Sequence, residues 1–467
     1  GDLLSLYVFW ELMAVASTFI IISRNTEQAK ASAFRYVLVH LLGGLLLLAG
    51  IIYTIQINGG DISFTKALFA EKHVGVWLIG LGILVNCGAL PLGSWLPDSY
   101  PAASISGGLI MSAYTTKTSV YCLLRGFEGG WDFLIWVGCA MALYGVIMAL
   151  MENNIRRMLA YIIVSQVGIM VVGAGIGTKD AINGAAAHAF CSVIYTSLQW
   201  MVAGAIIYRT GKTKFTDLGG LFKSMPITGT FAIISGLTIA AFPFTNGFVS
   251  KTIILYQADK SGYSLVWLIL EVASVGAFLL AGLKFTYFLF FGKDSGHRPQ
   301  EANTSMSVAM VAMAFLCVLI GCYPSLLYSQ LPTMVKFEPY ALSKVVHQLQ
   351  LLLFTSLGFC LFLKFFRGSN GTPLDFDWFY RKGSPLIYKG LDKGLNGINA
   401  TTKSLVVDKL IKAICHFFES APSRLLCLAM VPYWKSKGCD EKAIEDKAQD
   451  LYRQGRRGAF AIGITAF

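Results

Sequence analysis

The sequence predicts an all-α, polytopic transmembrane helical bundle with inverted repeats and two discontinuous helices. Composition gives the first reason: hydrophobic residues make up 55% of the 467-residue chain and charged residues only 14%. Apolar runs give the second, because a helix needs about 20 such residues to span hydrocarbon at ~1.5 Å of rise each. Two of these runs are interrupted by proline and glycine, five spans apart.

Eleven runs qualify as spans: residues 3–22, 36–57, 74–92, 105–124, 131–151, 158–176, 185–208, 227–256, 263–291, 306–327 and 349–366. They are apolar all round, whereas a soluble helical array keeps a polar face at helical period. The third ends in "GALPLGSWLPDSYPAAS", with Pro91, Gly93, Pro97 and Pro101. The eighth contains "AFPFTNGFVSKTIIL", with Pro243 and Gly247 followed by Lys251. Each break frees backbone groups that lipid cannot satisfy, so protein or a water-filled cavity must cover it. An offset of five spans reverses membrane orientation, so paired breaks predict an inverted repeat with its pathway near the midplane.

This placement divides the chain. Residues 1–126 form a first repeat, incomplete at its N-terminus, and 127–294 a second, inverted one. Residues 295–367 add two further transmembrane helices, 368–457 are a polar, amphipathic cytoplasmic-side segment, and 458–467 begin a clipped final helix. The chain opens on Gly1 inside a span and stops at Phe467 in a fresh apolar run, which predicts further helices beyond each end. Leu391, Leu395, Ile398, Leu405, Leu410 and Ile414 recur at near-helical spacing among lysines. They suit an amphipathic helix along a membrane or a neighbouring subunit; a short cytoplasmic helical hairpin is the other reading.

The formal charge of +12 resides in loops. Arg24, Lys30 and Arg35 follow the first span, Arg156 and Arg157 the fifth, and Arg209, Lys212, Lys214 and Lys223 the seventh. By the positive-inside rule the odd-numbered loops are cytoplasmic, as is the basic region after Phe366. That bias accounts for the charge without nucleic-acid binding. The ten cysteines are scattered and form no CxxC pair, which argues against a disulfide framework, a zinc site or an iron–sulfur cluster.

Few ionisable groups interrupt the spans: Glu11, His40, Lys117, His188, Lys251, Glu271 and Lys284. A charge at mid-bilayer costs roughly 2.5–3.5 kcal/mol on insertion scales, so such a residue is hidden beside a partner or used. Desolvation penalises the charged form and a neighbouring opposite charge restores it, which lets a moving proton bias the next site along a chain. Glu11, in "YVFWELMAV", is read either as a relay group or as the ion-pair partner of Lys117 or another helix. His40 reads more simply as a packed histidine, His188 equally as core or relay. Glu271 and Lys284 lie too far apart on one span to pair directly; Lys284 has snorkelling as its plain alternative. Lys251 stands directly after the second break.

"YVFWELM", "SWLPDSYPAAS", "TTKTSVYCLLRGF", "NNIRRMLAYIIVSQVG", "TDLGGLFKSMP" and "GFVSKTIIL", in this order over residues 2–294, resemble the antiporter-like proton-conducting membrane subunit family. Its members include the D component of Mrp-type cation/proton antiporters and the antiporter-like subunits of complex I and of membrane-bound hydrogenases. "LDFDWFYRKGSPLIY" is a looser match to the region before the family's last helix. The resemblance makes the first span the family's fifth helix. It places Glu11 at that helix's glutamate, Lys117 at the central connecting lysine with Tyr121 and Arg125 following, and Lys251 at the lysine of the second broken helix. The chain also departs from the pattern. Asn86 stands where the family usually has the lysine of the first broken helix, and Gly93 where histidine is common. Ser192 and Thr196 occupy the second histidine and the lysine of the seventh span, or Ser192 takes the lysine place in another register. Neither asparagine nor a hydroxyl stores a proton near neutrality.

The resemblance therefore implies an ion-translocating subunit, moving protons and in some members sodium, of a multisubunit Mrp-type antiporter or complex I-like redox-driven complex. By motif, Glu11, Lys117 and Lys251 would carry proton loading, transfer and release; His188, Glu271 and Lys284 join the expected relay as charged or titratable residues of the spans, with Pro91, Pro97, Pro243 and Gly247 forming the broken-helix elements. Its partners would be other membrane subunits and the lipid bilayer of a bacterial or archaeal cell membrane. No cofactor, metal, nucleic acid or covalent active site is expected on this chain. One rival is a degenerate scaffold subunit, suggested by Asn86 and Thr196. The other, a stand-alone solute transporter, lacks a substrate-sized polar cluster.

Overall fold

The computed structural model describes residues 1–64, 73–127, 129–366 and 374–458, without the side chains of 377, 380 and 455–458. They fall into two compact units, Gly1–Asp377 and Trp378–Phe467. The expected final span over 458–467 lies outside the described residues beyond its first position.

In the first unit, α1 (Leu3–Ile22) and α2 (Glu27–Ile57) are started by Asp2 and Thr26, whose side chains accept from the amides of Ser5 and Ala29. Such caps satisfy donors that have no partner inside the helix. The third run becomes α3 (Val74–Cys87) and α4 (Trp95–Ala102), followed by α5 (Ile105–Gly126). Next come α6 (Asp132–Met151), α7 (Ile155–Ile176) and α8 (Lys179–Thr210). The eighth run divides into α9 (Pro226–Ile239) and α10 (Asn246–Lys260). Then α11 (Ser264–Ala277) continues through two π-helical segments, Phe278–Lys284 and Tyr287–Phe291. The unit closes with α12 (Thr304–Cys322), the short α13 (Ser325–Tyr328) and α14 (Leu342–Leu361).

Nine helices among the described residues are long and apolar enough to cross a membrane. α5 is long enough but less apolar, because Ser112, Thr115, Thr116, Lys117, Thr118 and Ser119 occupy its middle. The two discontinuous helices are present where the prolines predicted them. At the first, a Cβ on Gly93 would stand 2.1 Å from the Gly88 carbonyl oxygen, so no side chain fits there; histidine at this place is excluded by the tightness of the turn. At the second, a Cβ on Gly247 would stand 1.9 Å from the Thr238 oxygen. Ala241 and Phe244 are held nearby at φ 57° and 67°, a conformation that L-residues adopt at a cost of about 1–2 kcal/mol.

The carbonyls freed by these breaks are taken up by protein. The Trp95 indole donates to Val85 O (2.9 Å), Lys251 Nζ to Ile239 O (2.8 Å) and the Gln348 amide to Ala240 O (2.9 Å). This is how irregular backbone survives at membrane depth. α7 forms the centre of the unit, buried along nearly its whole length.

The second unit holds α15 (Asp377–Thr402), a π-helical stretch Lys403–Ile411, α16 (Lys412–Ser436) and α17 (Glu441–Gly458). Within it the run Arg381–Ser436 has 56 residues, roughly 80 Å of helix. Leu391, Leu395, Ile398, Leu405, Leu410 and Ile414 are exposed along it, as an amphipathic helix requires. α17 turns back against α16, with Cys427 Sγ 3.9 Å from Ala448 O, so helix and hairpin occur in succession.

Candidate functional site

The ionisable side chains of the spans are carried by α1, α2, α5, α8, α10, α11 and α14. On α1, Glu11 is partly exposed, and its carboxylate lies against Gly44 of α2, where an added Cβ would come within 1.8 Å of Oε1. Among the described residues it has no ion-pair partner, so the pairing with Lys117 is not formed: Lys117 instead donates to a carbonyl of its own helix. One turn back on the same face of α2 stands His40, 3% exposed. Its Nδ1 lies 2.9 Å from Tyr36 O, and its ring stacks on Tyr36 at 3.8 Å and meets the Trp95 edge at 4.5 Å. Its Nε2 and both polar atoms of Asn86 lack direct hydrogen-bond partners, and Asn86 is the side chain that faces the ring. The position expected to hold a lysine thus holds a buried amide beside a buried imidazole.

Lys117 sits mid-way along α5, partly buried, with Nζ donating to Ser112 O at 2.8 Å. His188 on α8 is fully buried, with Nδ1 3.2 Å from Ser250 Oγ on α10 and Nε2 3.4 Å from Tyr195 Oη. Its helix packs against α5, which carries Lys117, and α10, which carries Lys251. Lys251, 1% exposed, donates to Ile239 O and, at 3.3 Å, to Ser274 Oγ of α11. The first of these contacts is the one a purely structural lysine would make. Ser274 is one turn from Glu271, which interacts electrostatically with Lys251 and lies 3.3 Å from His347 Nε2 on α14. Ser192 Oγ donates to Ala189 O, and Thr196 is buried.

Lys284 stands apart from these groups. It is fully buried, yet it lies at the C-terminal end of α6, donating to Leu150 O (2.9 Å) and Glu152 O (3.0 Å). It neither snorkels nor meets Glu271: it caps α6 beside the Glu152–Arg157 ion pair (3.1 Å). Nearby, buried Asp375 accepts from the hydroxyls of Tyr144 and Tyr161. In the loop after the π segments, Arg298 hydrogen-bonds Asp294 with help from Gly296 N–H and Lys223, holding its carboxyl well below the usual range.

Two groups escaped sequence reasoning. His347 falls just before the predicted run 349–366, because α14 starts earlier, at Leu342. Its Lys344 is accommodated by turning Nζ over the rings of Phe337 (3.7 Å) and Tyr256 (4.7 Å). Arg156 reads in sequence as a topogenic charge, whereas it donates to Tyr100, Pro101, Ala103 and Ser104 carbonyls at 2.9–3.1 Å around the end of α4. Among the described residues no group of three or more His, Cys, Asp or Glu is placed to hold a metal.

Comparison with known proteins gives a consistent result. The sequence profile of the family described as NADH:quinone oxidoreductase/Mrp antiporter, TM, matches residues 1–286. The D component of the Na(+)/H(+) antiporter of Alkalihalophilus pseudofirmus is 30% identical over 346 residues, covering 69% of this chain and 68% of the relative. The N component of the NADH-quinone oxidoreductase of Desulforudis audaxviator is 28% identical over 298 residues, 60% of this chain and 59% of the relative. Among solved structures, the Mrp complex from Dietzia sp. DQ12-45-1b contains a chain of the same fold, with a TM-score of 0.65 at 21% identity, covering 70% of this chain and 72% of that one.

Proposed function

Because the chain belongs to the NADH:quinone oxidoreductase/Mrp antiporter transmembrane family, we propose that this integral, multi-pass membrane subunit moves protons along the row Glu11, His40 with Asn86, Lys117, His188, Lys251 and Glu271. The observation that carries the reading is His188: fully buried on α8, which packs against both α5 and α10, it meets Ser250 Oγ, the neighbour of Lys251, at 3.2 Å. It thereby links the helices around one break to those around the other. A proton gained by one member raises the cost of charging the next, so occupancy alternates along the row. Lys284 serves as a cytoplasmic-end cap.

Residues 1–126 and 127–294 act as two inverted repeats, each supplying one broken helix. The subunit works with other membrane subunits of a multisubunit complex in a bacterial or archaeal cell membrane. Exchange against sodium, which the name of the Alkalihalophilus relative states for that protein, is the coupled reaction this reading favours.

Lys251 supplies the test. In the assembled complex reconstituted in vesicles, Lys251→Met should stop proton flux. Lys251→Arg should stop it as well, since guanidinium keeps the hydrogen bond to Ile239 O but does not release its proton. Normal flux in the arginine variant would make Lys251 a fixed charge and return the scaffold reading to first place.

A further inference from the structure

A cavity of about 240 Å³ opens between α10, α11 and α14, on the side where α10 ends and α14 begins. That side lies opposite the basic loops at Arg24–Arg35, Arg156–Arg157 and Arg209–Lys223, and hence faces away from the cytoplasm. Glu271 lines the cavity, 9% exposed, and His347 lines it with its side chain about half exposed (48%). Tyr256, Asp259 and Lys344 are the other titratable or charged groups in its wall, and Lys251 stands behind Glu271.

We infer that this cavity is the mouth through which protons leave the subunit, with the Glu271–His347 pair as the last station before water. The inference rests on the proposed relay and assigns its outward end. The stations lie close together: Lys251 Nζ donates to Ser274 Oγ, Glu271 is one turn back on the same face of α11, and its Oε1 is 3.3 Å from His347 Nε2; a bridging water carries the step from Lys251 to Glu271. The cavity volume holds several waters at ~30 Å³ each.

A structural ion pair would be sealed on both sides and would use a permanent cation. This one is dry at the carboxylate and wet at the imidazole, the side chain that ordinarily changes charge nearest neutral pH. The transfers balance. The Lys251 ammonium gives its proton to the Glu271 carboxylate, leaving a neutral amine and a neutral carboxyl group. The carboxyl passes it to imidazole Nε2, which restores the carboxylate and makes an imidazolium; the imidazolium releases it to water in the cavity.

The test uses the assembled complex in vesicles with a trapped pH indicator. His347→Gln keeps a hydrogen-bond donor towards Glu271 and loses the titration; flux should fall at least about tenfold. In a Cys322→Ser, Cys360→Ser background, Ser343→Cys places a thiol in the cavity wall. A membrane-impermeant thiol reagent added from the outer face should cut the flux of that variant at least about fivefold relative to the same sample before treatment. Unchanged flux in either experiment overturns the inference, and the labelling decides if His347→Gln fails to assemble. Lys117→Ala and Lys251→Met separate the two levels. If both still conduct, the relay itself fails; if both are silent while His347→Gln and labelled Ser343→Cys conduct normally, only the mouth lies elsewhere.

Discussion

Replacing Arg156 by leucine tests how the first broken helix is held. α4 ends at Ala102, and Arg156 reaches the carbonyls of Tyr100, Pro101, Ala103 and Ser104 around that end; Ser104 O also accepts from Gly108 N–H at 2.9 Å and Pro101 O from Arg24 at 3.0 Å. All four converge on one guanidinium, which is 5% exposed and lies over the Trp200 ring at 5.2 Å. Hydrogen bonds to a charged group contribute about 1.5–3 kcal/mol each, an upper bound of roughly 6–12 kcal/mol for four that do not add. A buried acceptor left unsatisfied costs about 1–3 kcal/mol, and Tyr100 O and Ala103 O are the two with no second donor among the described residues, so roughly 2–6 kcal/mol is expected for Arg156→Leu. Lysine carries three donors on a single point and cannot span the four carbonyls, so Arg156→Lys should lose about half as much. Thermal scans of the purified complex in detergent should place the leucine variant on the order of 10 °C below wild type, with the lysine variant between. A leucine variant melting within about 2 °C of wild type would show that water or relaxed backbone satisfies these carbonyls equally well.

Two packing changes separate transport from assembly. Gly44→Ala sets a methyl group where the Glu11 carboxylate lies, 1.8 Å from Oε1; the carboxylate is the mobile end of its side chain and swings away, so the complex should assemble normally while vesicle flux drops several-fold. Gly145→Ala meets backbone instead, Tyr161 O at 2.5 Å and Ser165 N at 2.6 Å; it should push α6 from α7, cost about 1–3 kcal/mol, and show as a reduced yield of assembled complex.

What could be read from the sequence was what the bilayer dictates. Hydrocarbon thickness fixes run length, and lipid forbids unpaired backbone, so Pro91, Pro97 and Pro243 mark the breaks in the sequence itself. Glu11, Lys117, His188, Lys251 and Glu271 stood out because few ionisable residues occur in the spans. Helix ends were less legible. The apolar run starts at residue 349 and omits His347, while α14 starts at Leu342 because Lys344 stacks on Phe337, a tertiary contact. Lys284 reads as a relay candidate in sequence, but a separation of 13 residues from Glu271 is about 20 Å of helix, which carries it to the end of α6. Arg156 carried the ordinary signature of a topogenic charge, and nothing local in "NNIRRML" shows that four carbonyls from another helix wait for it.

The departures at Asn86, Ser192 and Thr196 bear on whether the chain conducts. A scaffold freed from proton transport stabilises itself by replacing buried polar groups with apolar ones of like shape, because each unpaired buried polar group costs about 1–3 kcal/mol. Yet both side-chain polar atoms of Asn86 at the first break, and both of Asn246 at the second, are buried without a direct partner. Among the described residues Ser99 Oγ, Ser165 Oγ and Gln166 Nε2 share that condition, on α4 of the first broken helix and on α7, which packs against both α4 and α10. Leucine or alanine would remove the penalty at every one of them. A row that must keep a proton soluble at mid-membrane needs such groups as its polar lining, with waters bridging what side chains do not reach. Asn86 then loses the lysine's charge but keeps its polarity, and the titratable group of that half stands one contact away, on His40.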